Sequence, residues 1–428
     1  MSALRHLEPH GVNTLLGEEV EFQETLTALF RDCFRKYGYR PVLTPTFEYL
    51  DLFRETERVT GDDMVKLIAR DGRVLVIRPD ATVPVSRMTA RLYGEIGHPL
   101  KFSYITSVFR WADPAKGERL ETLQAGIEAY NQPEPDCDAE VLALGIGTLV
   151  EAGMTGIHVD IGHAGWLEGL QLSAGISERN WLRVLAALEQ RSPEAIRQVL
   201  AEAEVGPEAA GAILAVPELY GEMPDILAAA APWVLNGTMA RALENLRQVW
   251  ETLQAHRPQA RIHADLGFTN PFRYYTGVIF KAYTPQCGEP LLQGGRYDQL
   301  ASRFGAEKAA CGLGINISLL AEVLEKMKIK EWNPCATDYL VLYSESNRQE
   351  ALDLSQSLRG RGFVVEAELC SGEARERIAS ATYRNTREIV ELQQEWVRIT
   401  NLMKNDVVRL PREQFVMGLE TVSLASIH

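Results

Sequence analysis

The chain reads as an α+β protein: a mainly antiparallel sheet flanked by helices, interrupted by a helical insertion and followed by a small C-terminal α/β domain. Three observations predict this. Two strand-like runs, KFSYITSVFR and ETLQAGIEAYN, flank the polar segment WADPAKGERL and read as a long antiparallel hairpin. The stretch from about 166 to 255 is rich in Ala, Leu and Glu and carries helical periodicity. Beyond the linker-like IKEWNPCAT, strand and helix patterns alternate.

Taken in order, residues from Glu18 to Tyr37 put Phe22, Leu26, Leu29, Phe30, Cys33 and Phe34 on one helical face, and Gly38 supplies a C-terminal cap. YRPVLTPTFEYL is strand-like but broken by Pro41 and Pro45. Proline cannot donate to a ladder, so this strand belongs at an edge or an interface. GRVLVIRPD is a strand ending in a loop, and a helix follows from about Ala81 to Tyr93. After the hairpin come a helix over Ala139–Gly153 and the strand GIHVDIGH. Within the helical insertion, Ser192-Pro193-Glu194 and Gly206-Pro207-Glu208 mark helix starts, with Pro at the first helical position. Strands resume with ARIHADLGF, YYTGVIFKAY and LLQGG, followed by a helix at RYDQLASRF. CGLGINISLLAEVLEKMK closes the core as a strand running into a helix. In the last segment DYLVLY, a helix ending near Arg359, GFVVEAEL, a second helix and TREIVELQ make the small α/β domain. The expected domains are 1–328, with the insertion at about 166–255, and 336–428.

A chain of 428 residues, 46% hydrophobic and 24% charged, has ample length for two or three domains. No apolar run is long enough to span a bilayer, and MSALRHLEPH lacks a signal-like core, so the expectation is a cytoplasmic protein without membrane contact. The six cysteines form no CxxC pair and no short His/Cys cluster; they read as reduced structural thiols, and no metal site is expected. A net charge of −14 argues against a generic nucleic-acid coat.

The chemistry-bearing residues gather around the hairpin. On Glu121–Tyr130, alternation puts Thr122, Gln124, Gly126 and Glu128 on one face. Such a file buries no apolar surface: it lines a polar pocket or it faces water. Arg110, at the end of the partner strand, and Asp80, after VIRP, would complete a pocket holding both charges. That pocket suits a zwitterion. Carboxylate and amide would receive an ammonium or an imidazole N–H, and Arg110 would take a carboxylate in bidentate fashion. Tyr274 and Tyr275 add flat walls with hydroxyl tips, although a single Tyr-Tyr pair is more often plain core packing.

The series YGYRPVLTP, VIRPDAT, VFRWADPAKGERLETLQAGIE, RYYTGVIF, GGRYD and CGLGI resembles, in order and spacing, the core of the class II histidyl-tRNA synthetases over roughly residues 5 to 325. The resemblance implies a six- or seven-stranded antiparallel sheet and dimerisation through YGYRPVLTP. It also implies a histidine pocket of Asp80 (Glu in the family), Thr82, Arg110, Gln124, Glu128, Tyr274 and Tyr275. The nucleotide side departs from the pattern. Ala112 stands at the Glu of the hairpin turn, Leu120 at a loop arginine, Thr122 at the adenine-packing aromatic, and Ser318-Leu319 at the terminal Glu-Arg. Asn270, Pro271, Phe272 and Arg273 occupy the RG-x-D positions that hold a catalytic arginine. Adenylation gathers negative charge at the α-phosphate, and loss of one such donor costs about a hundredfold to a thousandfold in rate.

A retained amino-acid pocket beside a dismantled nucleotide site resembles the regulatory subunits of ATP phosphoribosyltransferase. That resemblance implies no catalytic residues and no cofactor in this chain. It implies a short-form catalytic subunit as partner, a homodimer within a hetero-oligomer of four plus four chains, and histidine as effector. The C-terminal segment is about the size of an anticodon-reading domain. Its charge clusters, EARERIA and RNTREIVE, are mixed in sign and read as solvated faces, so tRNA is not expected as a partner. Two other readings remain open: an active histidyl-tRNA synthetase with displaced catalytic groups, and a stand-alone histidine- or tRNA-sensing module.

Overall fold

The computed structural model describes residues 9–53, 64–111, 119–269, 274–327, 337–370, 378–379, 381–382, 385–393 and 395–411. The chain divides into two compact units, Met1–Thr14 with Phe22–Lys330, and Leu15–Glu21 with Glu331–His428. The second helix expected in the C-terminal segment falls mostly outside the described residues, as does the Asn270–Arg273 turn.

Helix α1 (Glu18–Lys36) opens the chain with acidic residues in its first turn and basic ones in its last, the arrangement that opposes the helix dipole. It buries Leu26, Phe30, Cys33 and Phe34, and Gly38 accepts the left-handed φ of 82° that follows. Strand β1 (Arg40–Pro41) is an edge strand, as its proline requires. A small sheet of β2 (Phe47–Tyr49), β3 (Lys66–Ile68) and β4 (Val74–Ile77) comes next, followed by α2 (Thr82–Tyr93). The hairpin is β5 (Leu100–Phe109) and β6 (Glu121–Tyr130). Then come α3 (Pro135–Glu151) and β7 (His158–His163).

The region read as an insertion holds α4 (Ala164–Ala174), α5 (Glu178–Glu189), α6 (Pro193–Glu202), α7 (Pro207–Ala215), β8 (Tyr220–Glu222), α8 (Met223–Ala230) and α9 (Gly237–Ala255). Both α6 and α7 start on their prolines; the Ser192 hydroxyl caps α6 by accepting from Ala195 N–H. The core closes with β9 (Arg261–Asp265), β10 (Val278–Thr284), β11 (Cys287–Arg296), β12 (Ala310–Asn316) and α10 (Ile317–Lys326). RYDQLASRF forms only a 3₁₀ turn, Ala301–Phe304, ended by Gly305 at φ 91°. The expected helix there fails because Asp298 is committed to backbone and side-chain partners and Gly305 stops the turn.

The large sheet has nine strands in the order β1-β5-β6-β12-β11-β10-β7-β9-β8. Its six central strands are antiparallel throughout, but β1 joins β5 and β9 joins β7 in parallel. The sheet is therefore larger and more mixed than the six or seven antiparallel strands expected. Alternation divides its faces. Ala125, Ile127, Leu313, Leu292, Phe280, Val159 and Ile262 point into one hydrophobic core, covered by α3 and α9. The opposite face is packed at its β5–β6 end by a second apolar cluster that includes Phe102, Tyr104, Tyr130 and, from α2, Val83 and Val85, and elsewhere it carries polar groups. A single row of cross-strand neighbours runs from Tyr104 through Gly126, Gly314 and Gln293 to Lys281. It continues through Asp160 and His263 to Glu222.

The C-terminal unit has a five-stranded sheet, β14-β13-β15-β16-β17, and helix α11 (Arg348–Gly360). Strand β13 (Thr337–Tyr343) lies parallel between β14 (Val365–Leu369) and β15 (Thr386–Leu392). Strands β16 (Trp396–Asn401) and β17 (Asp406–Pro411) extend it antiparallel.

Candidate functional site

On the face of the large sheet opposite α3 and α9, β6 carries Gln124 and Glu128, β5 carries Tyr104, β12 carries Gly312 and Gly314, the loop into α2 carries Asp80, and α2 begins with Thr82. Asp80, Thr82, Gln124, Tyr274 and Tyr275 line one small cavity together with Tyr297. Its free space is about 20 Å³, room for about one water molecule. Glu128 lies behind this lining, with none of its surface exposed. Arg110 lines a neighbouring cavity of about 180 Å³ with Arg119, Thr122 and Asn316, and Gln124 borders both.

Glu128 is the chemical centre. The Thr82 hydroxyl donates to its Oε1 at 2.7 Å and the Tyr297 hydroxyl donates to its Oε2. Burial dominates even so and pushes its carboxyl up to about 8; the two hydroxyls pull it down and nearby Asp80 raises it further. Directly opposite on β12 stands Gly312, where a Cβ would sit 1.8 Å from Glu128 Oε2. Only glycine leaves room for that carboxylate. Gly126 serves its neighbour likewise: a Cβ there would come within 2.3 Å of the Tyr104 hydroxyl, which donates to Gln124 Oε1 at 3.1 Å.

Asp80 accepts Val83 N–H at 2.9 Å and so ties the first turn of α2 to the site. Burial raises its carboxyl, and the positive charge of Arg110 opposes the rise. Arg110 itself is oriented by Nε donating to Pro79 O at 2.8 Å. Tyr274 and Tyr275 stack at a tilt, with centroids 5.0 Å apart, and both stand against Tyr297. The arrangement brings an acid, an amide, a second acid with its arginine, and three aromatic rings around one closed space. It can discriminate a small cationic or N–H-bearing group from an anion.

Sequence reasoning missed Tyr104 and Tyr297 as partners of the site. Tyr297 lies inside GGRYD, a stretch that reads as a family marker, and Tyr104 shares the period-2 register of the partner strand. The rest of GGRYD is scaffold. Arg296 forms a buried ion pair with Asp138 on α3, 2.7 Å from NH2 to Oδ1, and Asp298 accepts Ala310 N–H at 2.9 Å.

The nucleotide side differs in kind. Asn316 caps α10 by accepting Leu319 N–H at 2.9 Å. The Ser318 hydroxyl accepts Leu123 N–H at 3.0 Å and thereby knits α10 to β6. Leu319 packs against the main hydrophobic core. Leu120 N–H donates to Gly11 O at 2.8 Å, while Arg119, one residue earlier, pairs with Glu322 at the edge of the larger cavity. Ala112 and Asn270–Arg273 lie outside the described residues.

The sequence profile of the histidyl-tRNA synthetase family matches residues 11–320. An ATP phosphoribosyltransferase regulatory subunit of Acetivibrio thermocellus is 30% identical over 404 residues, spanning 94% of this chain and 96% of its own length. One from Symbiobacterium thermophilum is 32% identical over 378 residues, 88% of this chain and 94% of its own. A Bacillus halodurans structure described as an ATP phosphoribosyltransferase regulatory subunit/histidyl-tRNA synthetase superposes with a TM-score of 0.79 at 26% identity, covering 90% of this chain and 98% of that one. A histidyl-tRNA synthetase from Nostoc sp. PCC 7120 shares the fold, with a TM-score of 0.78 at 19% identity over 97% of this chain and 99% of its own.

Proposed function

The chain belongs to the histidyl-tRNA synthetase family, in its branch of ATP phosphoribosyltransferase regulatory subunits, and on that premise we propose that it is a non-catalytic subunit that activates a short catalytic partner and conveys feedback by histidine. The partner forms phosphoribosyl-ATP from ATP and phosphoribosyl pyrophosphate. One observation carries the proposal. Where the family resemblance calls for the nucleotide-clamping Glu-Arg, Ser318 serves a backbone hydrogen bond and Leu319 packs, half-buried, against the core, while the acid-and-amide face is kept.

Histidine would enter the pocket of Asp80, Thr82, Gln124, Glu128, Tyr274 and Tyr275, with its carboxylate toward Arg110. A free space of about 20 Å³ does not admit it, so binding requires the cavity to open. In the closed form the hydroxyls of Thr82 and Tyr297 satisfy Glu128; the ligand's N–H groups would replace them. That exchange couples occupancy to the positions of α2 and the Tyr297 turn, and it is the step by which histidine would be felt by the partner. The working form would be a homodimer within a complex of four plus four chains.

Mixing the purified chain with a short-form catalytic subunit should raise the rate of phosphoribosyl-ATP formation, and histidine should lower it. No complex and no change in rate would overturn the proposal. Gln124→Ala or Glu128→Ala should weaken histidine binding by about 1.5–3 kcal/mol, the worth of a charge-assisted hydrogen bond. Unchanged calorimetric titrations in both variants would move the effector site elsewhere.

One feature favours an active synthetase instead: Arg110 and Arg119 both line the cavity beside the pocket. Histidine-dependent pyrophosphate exchange separates the readings, since only an adenylating enzyme gives signal.

A further inference from the structure

At the far end of the same polar face, away from the acid-and-amide pocket, β7 and β9 lie side by side in parallel. Their register sets Asp160 against His263, and alternation along β7 turns His158 to the same side as Asp160. One ring nitrogen of each histidine and one carboxylate oxygen of Asp160 lie within 4.8 Å of one another, the one such trio of metal-ligating side chains among the described residues. His158 Nε2 is 3.1 Å from Asp160 Oδ1. The Tyr220 hydroxyl, from β8, stands 3.2 Å from His158 Nε2 and 3.3 Å from His263 Nδ1. The outer nitrogen of His263, Nε2, is 3.2 Å from Glu222 Oε1.

We propose that His158, Asp160 and His263 bind a divalent transition-metal ion, zinc(II) by the character of the donors. Two imidazoles and a carboxylate are the three-ligand set of an open zinc centre. Tetrahedral bonds of about 2.0–2.1 Å place neighbouring donors about 3.3 Å apart, and His158 and Asp160 already stand close to that spacing. A ligating histidine nearly always gives its second N–H to a carboxylate, which fixes the tautomer. Glu222 occupies that station: with Nε2–H directed to it, His263 turns the Nδ1 lone pair toward His158 and Tyr220. The Tyr220 hydroxyl, shared between the two rings, marks where a fourth donor belongs. The side chains of His158, Asp160 and His263 are 28%, 17% and 22% exposed, so an ion reaches them from solvent without opening the core. In sequence the trio is hidden: HVD supplies two ligands, and the third arrives from the strand beyond the helical insertion.

The test is titration of the chelator-stripped full chain with Zn²⁺ by calorimetry, repeated with Co²⁺ for its visible spectrum. One tight equivalent is expected, with the intense d–d bands of a four- or five-coordinate nitrogen–oxygen site. His158→Ala and His263→Ala should each weaken binding by about a hundredfold or more. Glu222→Gln should keep the stoichiometry and weaken it about 10–100-fold. Asp160→Asn keeps the shape of the site, so its expected loss of at least about tenfold in affinity is readable even where an alanine variant folds poorly. Absence of stoichiometric binding, binding equally tight in a soluble Asp160→Asn variant, or a cobalt spectrum dominated by thiolate charge transfer would each overturn the proposal.

Discussion

Replacing Glu128 by Gln removes a titration while keeping nearly the same shape. The wild-type carboxyl, buried behind Thr82 and Tyr297, titrates at about 8, far above its ordinary 4.5. A carboxyl raised in the folded state holds its proton more tightly there than in the unfolded chain. Its contribution is therefore fully present below pH 4.5 and is lost as pH rises through about 8. At 1.36 kcal/mol per pKa unit the whole interval is worth about 5 kcal/mol, of which about 3.5 kcal/mol falls between pH 5 and pH 8. Glutamine accepts from only one of the two hydroxyls and turns its NH₂ toward the other, a loss of about 1 kcal/mol that does not depend on pH. Urea unfolding of both proteins at pH 5, 6, 7 and 8 isolates the effect, because every other titrating group is common to the pair. The variant should match the wild type at pH 5 to within about 0.5 kcal/mol and be the more stable by about 3 kcal/mol at pH 8. Parallel curves would refute the reasoning, for they would mean that Glu128 does not carry its proton into the neutral range.

On the proposed function, the same proton would couple histidine binding to pH: near pH 7 the unliganded carboxyl is mostly protonated, and an arriving ammonium would expel close to one proton. Calorimetric enthalpies measured in phosphate and in Tris should then differ by about the difference between the two buffers' ionisation enthalpies, and equal enthalpies would contradict it. Gly312→Ala drives a methyl into Glu128 Oε2 and should abolish histidine binding and lower the melting temperature, whereas Gly288→Ala, with open space around it, should change neither. Arg296→Ala leaves Asp138 as a buried, unpaired carboxylate and should cost about 3–5 kcal/mol in urea unfolding at pH 7. A loss under about 1 kcal/mol would show that water reaches the pair.

How much of this was legible beforehand differs from residue to residue. The file from Thr122 to Glu128 stood out because a strand repeats every two residues and polar groups in register have nothing apolar to bury. Pro41 announced an edge strand, and Pro193 and Pro207 announced helix starts, because a missing N–H restricts where a residue can sit. Tyr297 and Arg296 gave no such local sign: their partners, Glu128 and Asp138, lie more than 150 positions earlier. The extra strands escaped for a related reason. β1 and β8 are 2 and 3 residues long, too short for periodicity, and the parallel pairing of β9 is a long-range event. Of the helix expected at RYDQLASRF only Ala301–Phe304 winds, as a 3₁₀ turn, because the commitment of Asp298 to Ala310 is again a long-range matter.

The division of the large sheet into a packed face and a polar face separates what selection can alter. Beyond its Tyr104 end, which packs in the second apolar cluster, substitutions on the row from Gln293 to Glu222 leave the residues that hold the strands to α3 and α9 untouched. Side chains there can be exchanged one at a time without disturbing that packing. Variation is best confined to the non-glycine positions from Gln293 to Glu222, since a side chain at Gly126 or Gly314 would collide with Tyr104 or Gln124.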